Sequence, residues 1–169
     1  LSQVVLAQYD ASGALVGDEP VVLAQSSMGL PSLTASLDTG RVYAAWGVDE
    51  AQGSIQVGQV QSLLAGRGPS LTLGANGRID HTPRIAAAGQ GGLVAWFRVL
   101  GGFRNQLVYQ VFEASDEGVL TADDEVVVET AGAVAPYQPA AIQVDAEAYL
   151  LVWSEGDSPD FRLQARFVR

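Results

Sequence analysis

The stretch Gly91-Gly92-Leu93-Val94-Ala95-Trp96 decides the reading of this chain, because the same phrase occurs twice more. It returns as Gly40-Arg41-Val42-Tyr43-Ala44-Ala45-Trp46 and as Ala148-Tyr149-Leu150-Leu151-Val152-Trp153, so all three tryptophans occupy one position of a repeated unit. A proline precedes each tryptophan by 15, 13 and 14 residues (Pro31, Pro83, Pro139), and a polar residue follows at 13, 14 and 13 (Gln59, Gln110, Arg166). The tryptophans themselves are 50 and 57 residues apart. Landmarks that keep their local spacing while the period drifts are what loop insertions between fixed strands produce.

Along these segments both alternating faces are apolar: Val42, Ala44 and Trp46 on one, Tyr43 and Ala45 on the other. Period two with no polar face implies a strand buried on both sides. A two-layer sandwich with one wet face does not ask for that, whereas small sheets stacked radially do. Each unit reads as four strands. The first follows the proline (residues 32–37, 84–88 and 140–144) and the second carries tryptophan. The third carries the glutamine column, and the fourth spans 21–25, 71–73 or 125–130. Gly, Asp and Asn cluster between them, and Asp38-Thr39-Gly40 and Gly89-Gln90-Gly91-Gly92 have the chemistry of tight hairpins. Only residues 55–64 could carry a helical stripe, and Gly53, Gly58 and Gly66 argue against it.

The ends fit the same frame out of phase. Val4-Val5-Leu6-Ala7-Gln8-Tyr9-Asp10 matches Leu107-Val108-Tyr109-Gln110-Val111-Phe112-Glu113, and 161–169 stops in that same third strand. The partition is therefore 1–30 as the second half of a unit, 31–82 and 83–138 as whole units, and 139–169 as the first three strands of another. The chain begins at Leu1 rather than methionine, which fits a processed or excised piece.

Composition bounds the function. The chain has 169 residues, with 48% hydrophobic and 17% charged, enough for a substantial core. No apolar run approaches the roughly 18 to 20 residues of a membrane-spanning helix. The net charge is −10 and all nine basic residues are arginines, scattered along the chain. Such a field repels phosphate backbones and anionic lipid, so neither nucleic acid nor membrane insertion is expected. With no cysteine there is neither a disulfide framework nor a thiolate metal site.

The pattern Pro-x-apolar-Ala, a glycine turn, apolar residues with Trp, then apolar-x-Gln-apolar resembles the blade repeats of bacterial secreted β-propellers of sialidase-like and kelch-like type. The resemblance covers nearly the whole chain and rests on structural residues. Ser36-Leu37-Asp38-Thr39-Gly40 comes near the sialidase Asp-box but meets Tyr43 where that family has tryptophan, and the other units lack it. What the resemblance implies is a scaffold: an all-β fold of β-propeller-type repeats of four-stranded antiparallel sheets. About three blade units would be present, and a ring of about four to eight blades would need further blades or self-association to close. It carries no catalytic residue across.

The chemistry-bearing residues are few. His81 is the only histidine, and Asp80, its chain neighbour, points the other way in an extended segment, so a Ser-His-Asp arrangement is poorly served. Without lysine there is no Walker phosphate loop. Calcium is the one cofactor that the carboxylate runs suit, in the loop holding Glu155, Asp157 and Asp160, though none has the Asp-x-Asp-x-Asp-Gly spacing. No cofactor is therefore expected. In a propeller, the loops into each first strand and after each tryptophan strand share one face. His81, Phe103, Arg104, Tyr137 and Phe161 fall on it as candidate binding residues. Aromatic side chains beside arginine suit a glycan or a protein surface. The sequence thus reads as a non-catalytic binding or assembly module of an exported bacterial protein, secreted or at the cell surface. The alternatives are a fragment of a glycan-processing enzyme and a structural repeat of a surface or appendage protein.

Overall fold

A computed structural model describes residues 3–25, 29–48, 53–65, 70–74, 79–101, 104–128, 139–146, 148–156 and 159–169. The fold is all-β, in antiparallel sheets. The first sheet pairs β1 (Val4–Leu6) with β2 (Val21–Ala24). The second has the order β3 (Ser32–Ala35), β4 (Val42–Val48), β5 (Ser54–Gln59) and, after the short helix α1 (Val60–Leu64), β6 (Leu71–Leu73). The third runs β7 (Ile79–Ala88), β8 (Gly91–Gly101), β9 (Arg104–Ala114) and β10 (Leu120–Ala122), with β11 (Val126–Val127) also on β9. The fourth is β12 (Ala140–Asp145), β13 (Ala148–Glu155) and β14 (Arg162–Val168). Apart from β11 on β9, every pairing joins strands adjacent in chain order, which short connections between antiparallel strands allow.

The three tryptophans sit on β4, β8 and β13, and each is buried against the sheet that precedes its own. Trp46 packs with Ala44 against Val4 and Ala24 of the first sheet. Trp96 packs with Val94 against Tyr43, Ala45, Ile55, Val57 and Leu73 of the second. Trp153 packs with Tyr149 and Leu151 against Leu93, Ala95, Phe97 and Leu107 of the third. The alternate residues of β4 and β8 point the other way, into the next sheet, which is why these strands show no polar face. A buried tryptophan removes about 150 to 250 Å² from water, worth roughly 4 to 6 kcal/mol as an upper bound.

The first strands lie side by side at one margin of this stack, β3 beside β7 and β7 beside β12. Polar side chains fasten neighbouring hairpins there. Ser36 Oγ and Thr39 Oγ1 donate to Gly89 O at 2.9 and 3.0 Å, and Tyr43 Oη donates to Gln90 O at 3.0 Å. The turn near Asp38 is thus a clamp on the next hairpin, and Gln143 Nε2 of β12 reaches Asp38 Oδ2 at 3.4 Å.

Three local expectations change. The segment after β5 is helical at Val60–Leu64, where glycine content argued for extended chain. Gly58 permits the helix: a Cβ there would lie 2.6 Å from Leu63 Cδ1, so the missing side chain seats Leu63, which with Val60 packs against the Trp46 cluster. The first strand of the third sheet also begins earlier, at Ile79, and absorbs the register shift as a bulge between His81 and Arg84. Position 125, expected to open the fourth strand, instead lies in the gap between β10 and β11.

Candidate functional site

Of the five candidate binding residues, Phe103 and Tyr137 lie outside the described residues. His81 is in β7, opposite Phe97, and Arg104 opens β9, opposite Gly101; their side chains are likewise outside what is described. Phe161 stands just before β14 with its ring partly exposed, and its backbone N–H donates to Pro159 O at 3.1 Å. The described atoms do not bring these residues into one site. The proposed calcium loop is described only in part, since Asp157 is outside it. Among the described residues, no three His, Cys, Asp or Glu side chains cluster as metal ligands.

The concentrated chemistry lies one residue from His81, in a charged cluster that the sequence reading did not single out. Asp80 and Arg98 are cross-strand partners on β7 and β8, both fully buried. Arg98 Nε donates to Asp80 Oδ1 at 2.8 Å and Nη2 to Oδ2 at 2.9 Å, a bidentate pair. The remaining edge of the guanidinium donates to both carboxylate oxygens of Glu125. Gly74, at the end of β6, closes the site from the second sheet. It has φ +69°, and a Cβ there would fall 2.1 Å from Asp80 Oδ2 and 3.2 Å from Trp96 Cζ2.

Two carboxylates share one cation, so the cluster carries a formal charge of −1, with Asp80 and Arg98 shut off from water and Glu125 at its partly exposed edge. Burial pushes the Asp80 carboxyl up, an effect the Arg98 hydrogen bonds and charge only partly offset and the nearby Glu125 charge reinforces. The Trp96 indole also favours the Asp80 anion, though it does not reach hydrogen-bond geometry. Arg98 is held more firmly protonated, first by its bonds to Glu125 and then by Asp80. Four of the five guanidinium N–H donors are taken by the two carboxylates, and the Arg98 side chain is buried away from any ligand. The arrangement therefore ties three elements together. The signal was in the sequence: a lone arginine two residues after Trp96, inside a strand otherwise apolar on both faces, requires a buried counter-ion.

Beside it, Thr82 takes φ 55°, rare for a β-branched residue, and Gly29 abuts it closely enough that a Cβ would lie 3.0 Å from Thr82 N. At the other end of the third sheet a cleft of about 490 Å³ opens toward the fourth. It is lined by the Gly89-Gln90 turn, Phe112, Glu113, Asp123, Tyr149 and Arg169. Burial, with smaller contributions from Tyr43 and Glu113, pushes the Tyr149 phenol up to about 12. The volume falls in the range of small-molecule sites.

The chain matches no known protein family, no curated protein and no solved structure.

Proposed function

We propose that the four sheets are blades of a propeller-type stack and that the chain is a non-catalytic binding or assembly module of an exported protein. The observation that carries this reading is the recurrence of one interface. The tryptophan face of each sheet covers the forward face of the one before, with the first strands side by side at one margin. The buried charges Asp80 and Arg98 satisfy each other and Glu125. The apolar surface of this chain is invested in stacking, and its ligand would be held by loops and clefts at the rims, where a glycan or a protein loop fits.

The enzyme reading has one observation in its favour: Glu113 and Asp123 line the same cleft, and glycoside hydrolysis uses two carboxylates. A single experiment separates the two. The chain is presented to a glycan array and then incubated with the glycans it retains. Retention without hydrolysis supports the module; release of reducing ends, abolished by Glu113→Gln or Asp123→Asn, replaces it with the enzyme.

A further inference from the structure

The fourth sheet presents its forward face to solvent, and that face is as apolar as the ones covered inside the molecule. The repeat makes the comparison position by position. On the first strands, Ala86 and Ala88 of the third sheet are 3% and 4% exposed, whereas their equivalents Ile142 and Val144 are 55% and 50% exposed. On the third strands, Leu107 is fully buried, whereas its equivalent Leu163 is 80% exposed, and Phe167, which matches Val111, is 65% exposed. Leu150 and Val152 of β13, flanking Leu151 on the opposite side from Trp153, are half-buried on the same face.

The opposite end of the stack shows the reciprocal condition. Val5 and Tyr9 match Val108 and Phe112, which lie on the tryptophan side of the third sheet and are covered by the second. Those two are 0% and 1% exposed, whereas Val5 and Tyr9 are 49% and 61% exposed. Val22, paired with Val5 in register, is also exposed. One chain therefore ends in a forward face and begins with a backward face. The first sheet offers the third- and fourth-strand columns of that contact, without the tryptophan strand that accompanies them inside the chain.

We propose that the forward face of the fourth sheet docks the outer face of the first sheet of a second copy, head to tail. The contact continues the internal stack and rests on the reading of the sheets as equivalent blades. A second copy is the occupant because the chain itself supplies both mating surfaces, built from the residue columns already paired inside it. A face-to-face dimer of two fourth sheets would instead join two forward faces, a combination found nowhere within the chain. Such a head-to-tail contact is heterologous, so it repeats until the rotation closes a ring or leaves an open series.

The absence of cysteine makes the geometry directly testable. Phe112 meets Tyr43, the neighbour of Gln59, inside the chain, and Phe167 holds the place of Gln59 in the fourth sheet. Tyr9→Cys and Phe167→Cys variants are therefore prepared singly and mixed under mild oxidation, and the wild-type mass is followed by sedimentation over a range of concentrations. The expected result is an assembly of at least twice the 17.7 kDa chain mass. Cross-linking should be efficient between the two different variants and poor within either one. Leu163→Glu and Phe167→Glu, both on an exposed face and so harmless to the fold, should weaken association about 10-fold or more. A monomer at every concentration overturns the proposal, and so does a cross-link preferring two Phe167→Cys chains. The blade reading fails separately. If substitutions of the three tryptophans cost very different stabilities, the equivalence of the sheets is lost. If they cost alike while the protein stays monomeric, the stack stands and only the docking is refuted.

Discussion

Replacing Arg98 by methionine keeps most of the aliphatic stem and removes the charge that the buried Asp80 shares with the partly exposed Glu125. Asp80 would be left between Trp96 and Gly74 with no cation. Glu125, partly exposed, can turn outward. Breaking a buried pair from one side costs about 3 to 5 kcal/mol, because the remaining charge is stranded. That is a large part of the roughly 5 to 15 kcal/mol that holds a domain together. For a chain of this length it corresponds to a melting temperature lower by roughly 6 to 20 °C. The pH dependence identifies the cause. Asp80 binds its proton more tightly folded than unfolded, its pKa lying above the ordinary 3.8. Its contribution is thus fully present below that value and is lost as pH rises through the raised pKa. Without Arg98 the carboxyl rises further, so the deficit of the variant should shrink between pH 7 and pH 5. The assay is urea denaturation followed by tryptophan fluorescence at both pH values. Adding Asp80→Leu to Arg98→Met should recover much of the loss, since an apolar pair can replace a buried ionic one. A deficit under about 1 kcal/mol at pH 7, or one that grows toward pH 5, would refute the reasoning.

Gly74→Ala should destabilise the chain by more than about 1 kcal/mol, since the new methyl group would collide with Asp80 in a backbone conformation that favours glycine. Thermal melting of that variant beside Gly13→Ala, where the backbone is also left-handed but nothing lies within 4 Å, separates the collision from the backbone term. Trp46→Ala, Trp96→Ala and Trp153→Ala should each cost about 3 to 5 kcal/mol in chemical denaturation, and a loss under about 1 kcal/mol at any of them would deny that position its place in the core. Tyr149 should ionise near pH 12, in a spectrophotometric titration that loses this late component in Tyr149→Phe. Its folded pKa exceeds the ordinary 10.0, so the stability it contributes is complete below pH 10 and is lost as pH rises toward 12.

The strands were legible because burial on both faces leaves a continuous apolar run, and because each run ends in glycine or aspartate turns. The Trp96 segment is the clearest case: its period-two pattern gives both the strand and the two surfaces it covers. The helix at Val60–Leu64 was not legible, since its formation depends on a contact between Gly58 and Leu63 that local propensity does not contain. The charged cluster was half legible. Arg98 stands out inside its strand, but Asp80 looked like the neighbour of a histidine and Glu125 like one of many hairpin acids. Which carboxylates answer a buried arginine depends on strand register and on a turn 27 residues away, and the sequence pattern carries neither. The candidate binding residues were chosen by loop position and by aromatic or arginine character, and only Phe161 has a described side chain against which that choice can be set.

Strand β14 has a structural consequence of its own. In the second and third sheets the strand equivalent to it is flanked on both sides, whereas among the described strands β14 pairs only with β13. Its other side is a row of backbone donors and acceptors seven residues long, able to accept any extended chain. Arg162, Arg166 and Arg169 fall in this last stretch, so three of the nine cations of a protein with net charge −10 border one adhesive margin. Positive charge there discourages two such margins from meeting but attracts the acidic remainder of a neighbouring molecule. Purification in dilute buffer should therefore favour clumping, and added salt, by shortening the reach of those charges to about 8 Å at physiological strength, should disperse it.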